Sequence, residues 1–73
     1  MKNSGMILRL TDNRIVIVYD RQPCQEEGKI VLNLVDEKYN IIKGEDGKAK
    51  VIIKDIRIYL KEMKAATLIG YID

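Results

Sequence analysis

The feature that most constrains this chain is a set of short runs that are apolar at successive positions rather than at alternate ones. Residues 15–19 are all apolar, residues 51–53 are all aliphatic, and residues 29–35 contain five aliphatic side chains interrupted by Asn33. Successive side chains of a strand point to opposite faces of its sheet, so these runs predict strands that are apolar on both sides. A chain of 73 residues has little other structure with which to cover two sheet faces.

Turn-forming segments between these runs predict an antiparallel sheet. Residues 6–10 and 14–19 are rich in Ile, Leu and Val, and they flank residues 11–13, Thr-Asp-Asn, whose side chains favour turns. This pattern predicts a β-hairpin. Residues 21–28 are polar and include the only proline, which predicts a surface loop before a third strand at residues 29–35.

A second hairpin is predicted around residues 44–47. The Asp46-Gly47 pair is a strong signal for a tight turn, and both flanking segments, residues 39–43 and residues 48–54, contain β-branched side chains. The glycines and Lys48 do not match a phosphate-binding loop, because the spacing is wrong and two carboxylates stand between the glycines.

Residues 55–66 fit two templates. Aliphatic residues first alternate with polar or aromatic ones, as in a strand, yet Ile56, Tyr59 and Met63 have the spacing of one helical face. Asp55 can cap the N-terminus of a helix, and the second half of the segment consists of strong helix formers. We therefore predict a helix, followed by a last strand at residues 67–72.

These elements predict one α+β domain, mainly β, over residues 1–73, with residues 1–5 disordered. The architecture expected is a small antiparallel sheet or a partly open SH3-like barrel of five to six strands, with one short helix before the last strand. Gly70 is expected to mark a bulge or a close backbone approach in that strand. The SH3-like analogy concerns topology and implies no function.

The composition excludes most catalytic chemistry. The chain has no histidine and one cysteine, so it lacks the ligands of a usual zinc site and cannot build a Ser-His-Asp or Cys-His pair. We predict a protein that is not an enzyme and that has no catalytic residues, cofactor or metal. Cys24 is expected to be an inert thiol, since only Arg21 could lower its pKa.

The same residues bear on location. A single cysteine gives no intramolecular disulfide, and no apolar run approaches the roughly 20 residues that span a bilayer. No secretion signal is recognisable near Met1. We therefore expect a cytoplasmic protein with no membrane association.

The predicted strands have more apolar surface than one short helix can cover, and this excess predicts a binding partner. Four valines are expected on the uncovered side of the strands: Val16, Val18, Val31 and Val35. The predicted function is a non-enzymatic protein-binding or regulatory module that self-associates, and a homodimer is preferred to a different protein partner because it is the commonest closed assembly. The alternative is that the chain buries both faces by itself.

A nucleic-acid-binding protein is the alternative function. The net charge is only +2, but residues 43–64 hold seven basic against four acidic side chains. In a helix over residues 55–66, several of the cations would form a basic stripe able to contact successive phosphates. The seven candidates are Lys43, Lys48, Lys50, Lys54, Arg57, Lys61 and Lys64. Tyr39 and Tyr59 lie near basic residues and are weak candidates for stacking on bases, whereas Tyr19 and Tyr71 are expected to pack with apolar neighbours.

Overall fold

A computed structural model describes residues 4–20 and 27–72 of the chain. Its elements in chain order are β1 (Gly5–Arg9), β2 (Ile15–Tyr19), β3 (Lys29–Val35), β4 (Val51–Asp55), α1 (Ile56–Met63) and β5 (Thr67–Ile72). The five strands form one antiparallel sheet in the order β4-β3-β2-β1-β5. The predicted class, α+β and mainly β with one short helix before the last strand, is confirmed.

The sheet order places the last strand beside the first. β5 pairs with β1, so β4 and β5 are the two edges. The molecule is nearly equal in its three extents, 30 × 27 × 27 Å, as expected of a small sheet that curls around its core. Gly5 already belongs to β1, so the predicted disorder does not extend to it; residues 1–3 and most of the predicted loop at residues 21–28 lie outside the described residues.

Three turns have the same hydrogen-bond pattern. The turns span residues 10–14, 36–40 and 44–48. In each turn, the first residue donates its N–H to the carbonyl of the fifth, and the fourth residue donates its N–H to the carbonyl of the first. The fourth residue has a left-handed backbone: Asn13 (φ 71°), Tyr39 (φ 66°) and Gly47 (φ 76°). This is a type I turn followed by a bulge, a common hairpin connection, and it confirms the predicted turns at residues 11–13 and 44–47.

The predicted second hairpin is only partly correct. Residues 39–43 form isolated bridges rather than a strand, and β4 begins at Val51 and pairs with β3 instead. The reason is visible in the backbone: Ile42 donates its N–H to the Leu34 carbonyl and accepts from the N–H of Lys50. Residues 36–50 thus leave the sheet and return to it, and the periodicity of the sequence did not reveal this insertion.

Tyr39 is the only described residue other than glycine or asparagine with a positive φ. Its Cβ is disfavoured there by about 1 to 2 kcal/mol. We expect Tyr39→Gly to raise the free energy of unfolding by about 0.5 to 1 kcal/mol in urea denaturation, since the relief of strain exceeds the entropy lost by glycine.

Lys38→Gly is the matched control for Tyr39→Gly. Lys38 lies in the same exposed turn without a positive φ, so glycine there should lower stability. If both variants lost stability equally, the backbone strain assigned to Tyr39 would be refuted.

Buried side chains form a cluster on each face of the sheet. The cluster on the helix-covered face contains Leu8, Leu10, Val16, Val18, Leu32 and Tyr59. The cluster on the opposite face contains Ile7, Ile15, Ile17 and Val35, with Tyr19, Ile41, Ile69 and Ile72 packed against it. Hence one chain buries most of both faces: the opposite face is covered by parts of β5 and by Ile41 from the inserted segment.

Two polar groups lie inside these layers. Asn33, on the opposite face, donates its side-chain N–H to the Ile17 carbonyl at 3.2 Å. Tyr59 reaches from α1 into the helix-covered cluster, and its hydroxyl has no hydrogen-bond partner among the described residues. Burial raises the pKa of Tyr59 above its usual value, so the hydroxyl stays protonated.

α1 begins where the sequence predicts a cap. Asp55 has extended backbone geometry, and its carboxylate accepts the N–H of Arg57 at 2.8 Å. This bond and the neighbouring guanidinium lower the pKa of Asp55. The cap is therefore intact at neutral pH and is lost as the pH falls through the lowered pKa.

β5 contains the predicted bulge. Ile7 pairs with Gly70 whereas Leu8 pairs with Leu68, so Ile69 is an extra residue on β5. The bulge lets Ile69 join the cluster on the opposite face.

Candidate partner interface

The four valines expected to form a partner surface do not form one. Val16 and Val18 belong to the helix-covered cluster, whereas Val35 belongs to the opposite cluster, and all three are buried within the chain. Val31 is half-buried. The expected exposure is therefore wrong for three of the four. Val16 and Val18 lie on the face that α1 covers, and Val35 lies in the opposite cluster, against which Ile41 and parts of β5 pack.

Two exposed aliphatic residues of the sheet lie instead on edge strand β4, Val51 and Ile53. Ile53 pairs with Val31 and Val51 pairs with Asn33, which places Val51 and Ile53 on the opposite face, beyond its buried cluster. Ile53 is 54% exposed and Val51 is also exposed. The apolar run at residues 51–53 signalled this surface in the sequence, but the order of strands in the sheet was needed to identify β4 as an edge.

Among the described residues, no strand pairs with the outer side of β4. Leu34 donates its N–H to the Lys50 carbonyl, and bonding alternates along an antiparallel pair. Ile52 therefore bonds to β3, whereas the N–H and C=O groups of Val51 and Ile53 point away from β3. An edge of this kind is a template for pairing with another strand.

The predicted basic stripe is only partly formed. Lys54 lies on β4 rather than on the helix, and its side chain, which is mostly buried, is paired with Glu62. Arg57, Lys61 and Lys64 do share the exposed side of the helical segment. Arg57 lies 3.5 Å from the carboxylate of Asp55, an exposed pair that stabilises the fold little.

The remaining three predicted cations lie elsewhere. Lys43 and Lys48 belong to the inserted segment, and Lys50 lies just before β4. This is the end of β4 opposite to the end where α1 begins. Acidic Glu45 and Asp46 share the same turn as Lys48 and reduce its positive field.

The tyrosines differ from expectation in two cases. Tyr59 is buried and cannot stack on a base, whereas Tyr71 is 70% exposed. Tyr39 is exposed as expected, and Tyr19 packs against the cluster on the opposite face. Tyr71 was missed because it lies within an apolar run, and only the position of β5 at an edge explains its exposure.

A cleft of about 390 Å³ opens at the end of the sheet, between the turn at residues 11–13 and the inserted segment. Ile15, Leu34 and Val35 contribute apolar lining, and charges of both signs surround it. Arg14 is held by Asp12, whose pKa is lowered chiefly by the backbone N–H of Arg14. This mixed rim does not favour a ligand of one charge.

Other features point to no further chemistry. Within residues 4–20 and 27–72, no three metal-ligating side chains lie close enough together to hold a metal ion. Cys24 lies outside the described residues. No helix in the described part of the chain is long and apolar enough to cross a membrane.

In comparison with known proteins, no family model, no curated protein and no solved structure matches this chain.

Proposed function

We propose that the protein is a non-enzymatic protein-binding module that self-associates through strand β4. The observation that carries the proposal is the exposed edge of β4, where free backbone groups lie beside the exposed side chains of Val51 and Ile53. An extended edge of this kind binds another strand through main-chain hydrogen bonds, and neighbouring apolar side chains supply the hydrophobic contact.

A second copy of β4 fits this edge in an antiparallel register centred on Ile53. In that register Ile53 faces Ile53 of the second copy, and Val51 faces Asp55 of the second copy. The free N–H and C=O groups of Ile53 are then opposite the same groups of the second copy, as pairing requires. The Val51 carbonyl lies opposite the Asp55 N–H of the second copy, whereas the Asp55 carbonyl, at the N-cap, accepts the first hydrogen bond of α1. No like charges lie directly opposite, since Lys54 faces Ile52 of the second copy.

The register also joins the exposed aliphatic residues of both copies. Val51 and Ile53 are on the same face and lie diagonal to their counterparts across the new strand pair, within reach of contact. In each copy, the half-buried Val31 of β3 lies beside Ile53. The interface is isologous, which gives a closed dimer.

The oligomeric state of Ile53→Lys tests this proposal. We expect the wild-type chain to sediment as a dimer at micromolar concentration, and Ile53→Lys to weaken the dimer by at least about tenfold, because two lysines would face each other at the centre of the strand pair. Analytical ultracentrifugation over a concentration series measures the change.

Ile58→Lys provides the control. Ile58 is 53% exposed, like Ile53, but lies on α1, so this variant should dimerise like the wild type. A wild-type chain that is monomeric at all concentrations, or equal weakening by both lysines, would refute the role of β4.

We do not propose nucleic-acid binding as the function, because Lys54 is paired with Glu62 and Arg57 with Asp55, and acidic Glu45 and Asp46 share the turn of Lys48. The lone cysteine supports placing the module in a reducing compartment such as the cytoplasm.

A further inference from the structure

Backbone hydrogen bonds hold one wall of the cleft at the end of the sheet. Leu34, at the end of β3, donates its N–H to the Lys50 carbonyl at 3.0 Å. Lys50 donates its N–H to the Ile42 carbonyl at 2.9 Å, and Ile42 donates its N–H to the Leu34 carbonyl at 3.1 Å. The three bonds form a closed ring, and all three residues line the cleft. This wall therefore exists before any ligand binds, which lowers the entropy lost on binding.

The lining of the cleft includes four aliphatic residues. Ile15 and Val35 pair across β2 and β3 and are buried, and Leu34 is half-buried. Ile42 belongs to neither hydrophobic cluster and is 36% exposed, although its neighbour Ile41 packs against the cluster on the opposite face. The cleft thus offers apolar contact area, and Ile42 is its most accessible part.

Four charged side chains also line the cleft, and two of them already have partners. The four are Arg14, Asp36, Glu37 and Lys50. The Arg14 guanidinium is paired with the carboxylate of Asp12. The Asp36 carboxylate accepts the backbone N–H groups of Lys38 and Asn40.

Glu37 and Lys50 leave one unpaired charge of each sign at the cleft. Among the residues that the structure describes, neither side chain has an ion pair or a hydrogen bond. A ligand of one charge can pair with only one of these groups and is repelled by the other. A ligand that carries both charges can pair with each of them.

We infer that this cleft binds a small zwitterion with an aliphatic body, which is the chemistry of a free aliphatic amino acid. The ligand's carboxylate pairs with Lys50, its ammonium group pairs with Glu37, and its side chain contacts Ile42. The volume of about 390 Å³ lies within the range of small-molecule sites, about 300 to 1,000 Å³. Since Glu37 and Lys50 are exposed, each ion pair contributes modestly to the affinity.

An NMR titration with L-leucine, followed on the backbone amide resonances, tests the inference. We expect L-leucine to shift the resonances of the residues that line the cleft. Three control compounds each lack one feature: isocaproate lacks the ammonium group, isopentylamine lacks the carboxylate, and glycine lacks the aliphatic body. Each should bind at least about threefold more weakly than L-leucine.

Variants of the cleft should remove the matching part of this preference. In Glu37→Gln, L-leucine should bind no better than isocaproate, because the ammonium group has lost its partner. In Lys50→Gln, L-leucine should bind no better than isopentylamine. Ile42→Ser should weaken L-leucine by at least about threefold, because aliphatic contact is lost. A merely structural role of these residues would not change the preference among compounds in this way.

Lys43→Gln and Glu45→Gln are the matched controls. Both residues are exposed charges of the same inserted segment, but neither lines the cleft, so both variants should bind like the wild type. Binding should also persist in Ile53→Lys, because the cleft does not include Ile53. The β4 dimer and this inference can therefore fail independently.

Three outcomes would overturn the inference. The first is that L-leucine shifts no resonances of the cleft. The second is that the cleft variants and their matched controls weaken binding equally. The third is that uncharged N-acetyl-leucinamide binds as tightly as L-leucine, which would assign the cleft to an apolar side chain of a partner protein.

Discussion

Leu32→Ala should lower the free energy of unfolding by about 3 to 5 kcal/mol, close to the whole stability expected of a domain this small. Leu32 is completely buried at the centre of the helix-covered cluster, between β2 and β4. The substitution removes its packing and leaves a cavity that neighbouring strands fill only partly. Urea denaturation followed by far-ultraviolet circular dichroism measures the loss.

Leu68→Ala is the matched control for Leu32→Ala. Leu68 is also a strand leucine on the helix-covered face, but it is exposed, so its truncation should cost less than about 1 kcal/mol. Comparable losses for the two leucines would contradict the location of the core described above.

Asn33→Asp should destabilise the protein by about 3 to 5 kcal/mol at neutral pH, because it buries a carboxylate charge in the cluster on the opposite face. Asn33 donates an N–H to the Ile17 carbonyl, and an ionised aspartate would present an oxygen to that carbonyl instead. The buried position therefore changes from a satisfied donor to a repelled acceptor.

The loss in Asn33→Asp should depend on pH in a defined direction. Burial would raise the pKa of the new carboxyl in the folded state, so the folded state binds more protons than the unfolded state. Relative stability should then fall as the pH rises above about 3.9 and recover below it. Asn40→Asp, at an exposed turn, should show little of this dependence, and a loss in Asn33→Asp that does not vary with pH would contradict the mechanism.

Local sequence signals predicted most of the secondary structure. β2 and β3 lie where the apolar runs are, Asp55 caps α1, and Gly70 adjoins the bulge in β5. These features depend on residues that are only a few positions apart, and the residue types at those positions determine their conformational preferences. The insertion at residues 36–50 was not predicted, because it depends on Ile42 bonding to the backbone of two other segments, at Leu34 and at Lys50.

The candidate surfaces were harder to predict than the strands. The sequence showed that the chain has aliphatic strand residues on both faces. However, three of the residues predicted from it to be exposed, Val16, Val18 and Val35, are buried. Exposure is decided by which strands lie at the edges and by what packs over each face. Neither property follows from the residue type, since Val35 and Val51 are alike in the sequence and opposite in exposure.

The sequence by itself determined the class of protein: short strands apolar on both sides, tight turns, one capped helix, and no side chains for histidine or zinc chemistry. Only the tertiary structure decided that most of both faces is buried within one chain and that the edge of β4, with Val51 and Ile53, is left open. The physical reason is the distance along the chain over which each kind of interaction acts. Strand and turn preferences act over a few bonds, whereas burial depends on long-range pairing, which here places β5 beside β1 and leaves β4 at the edge.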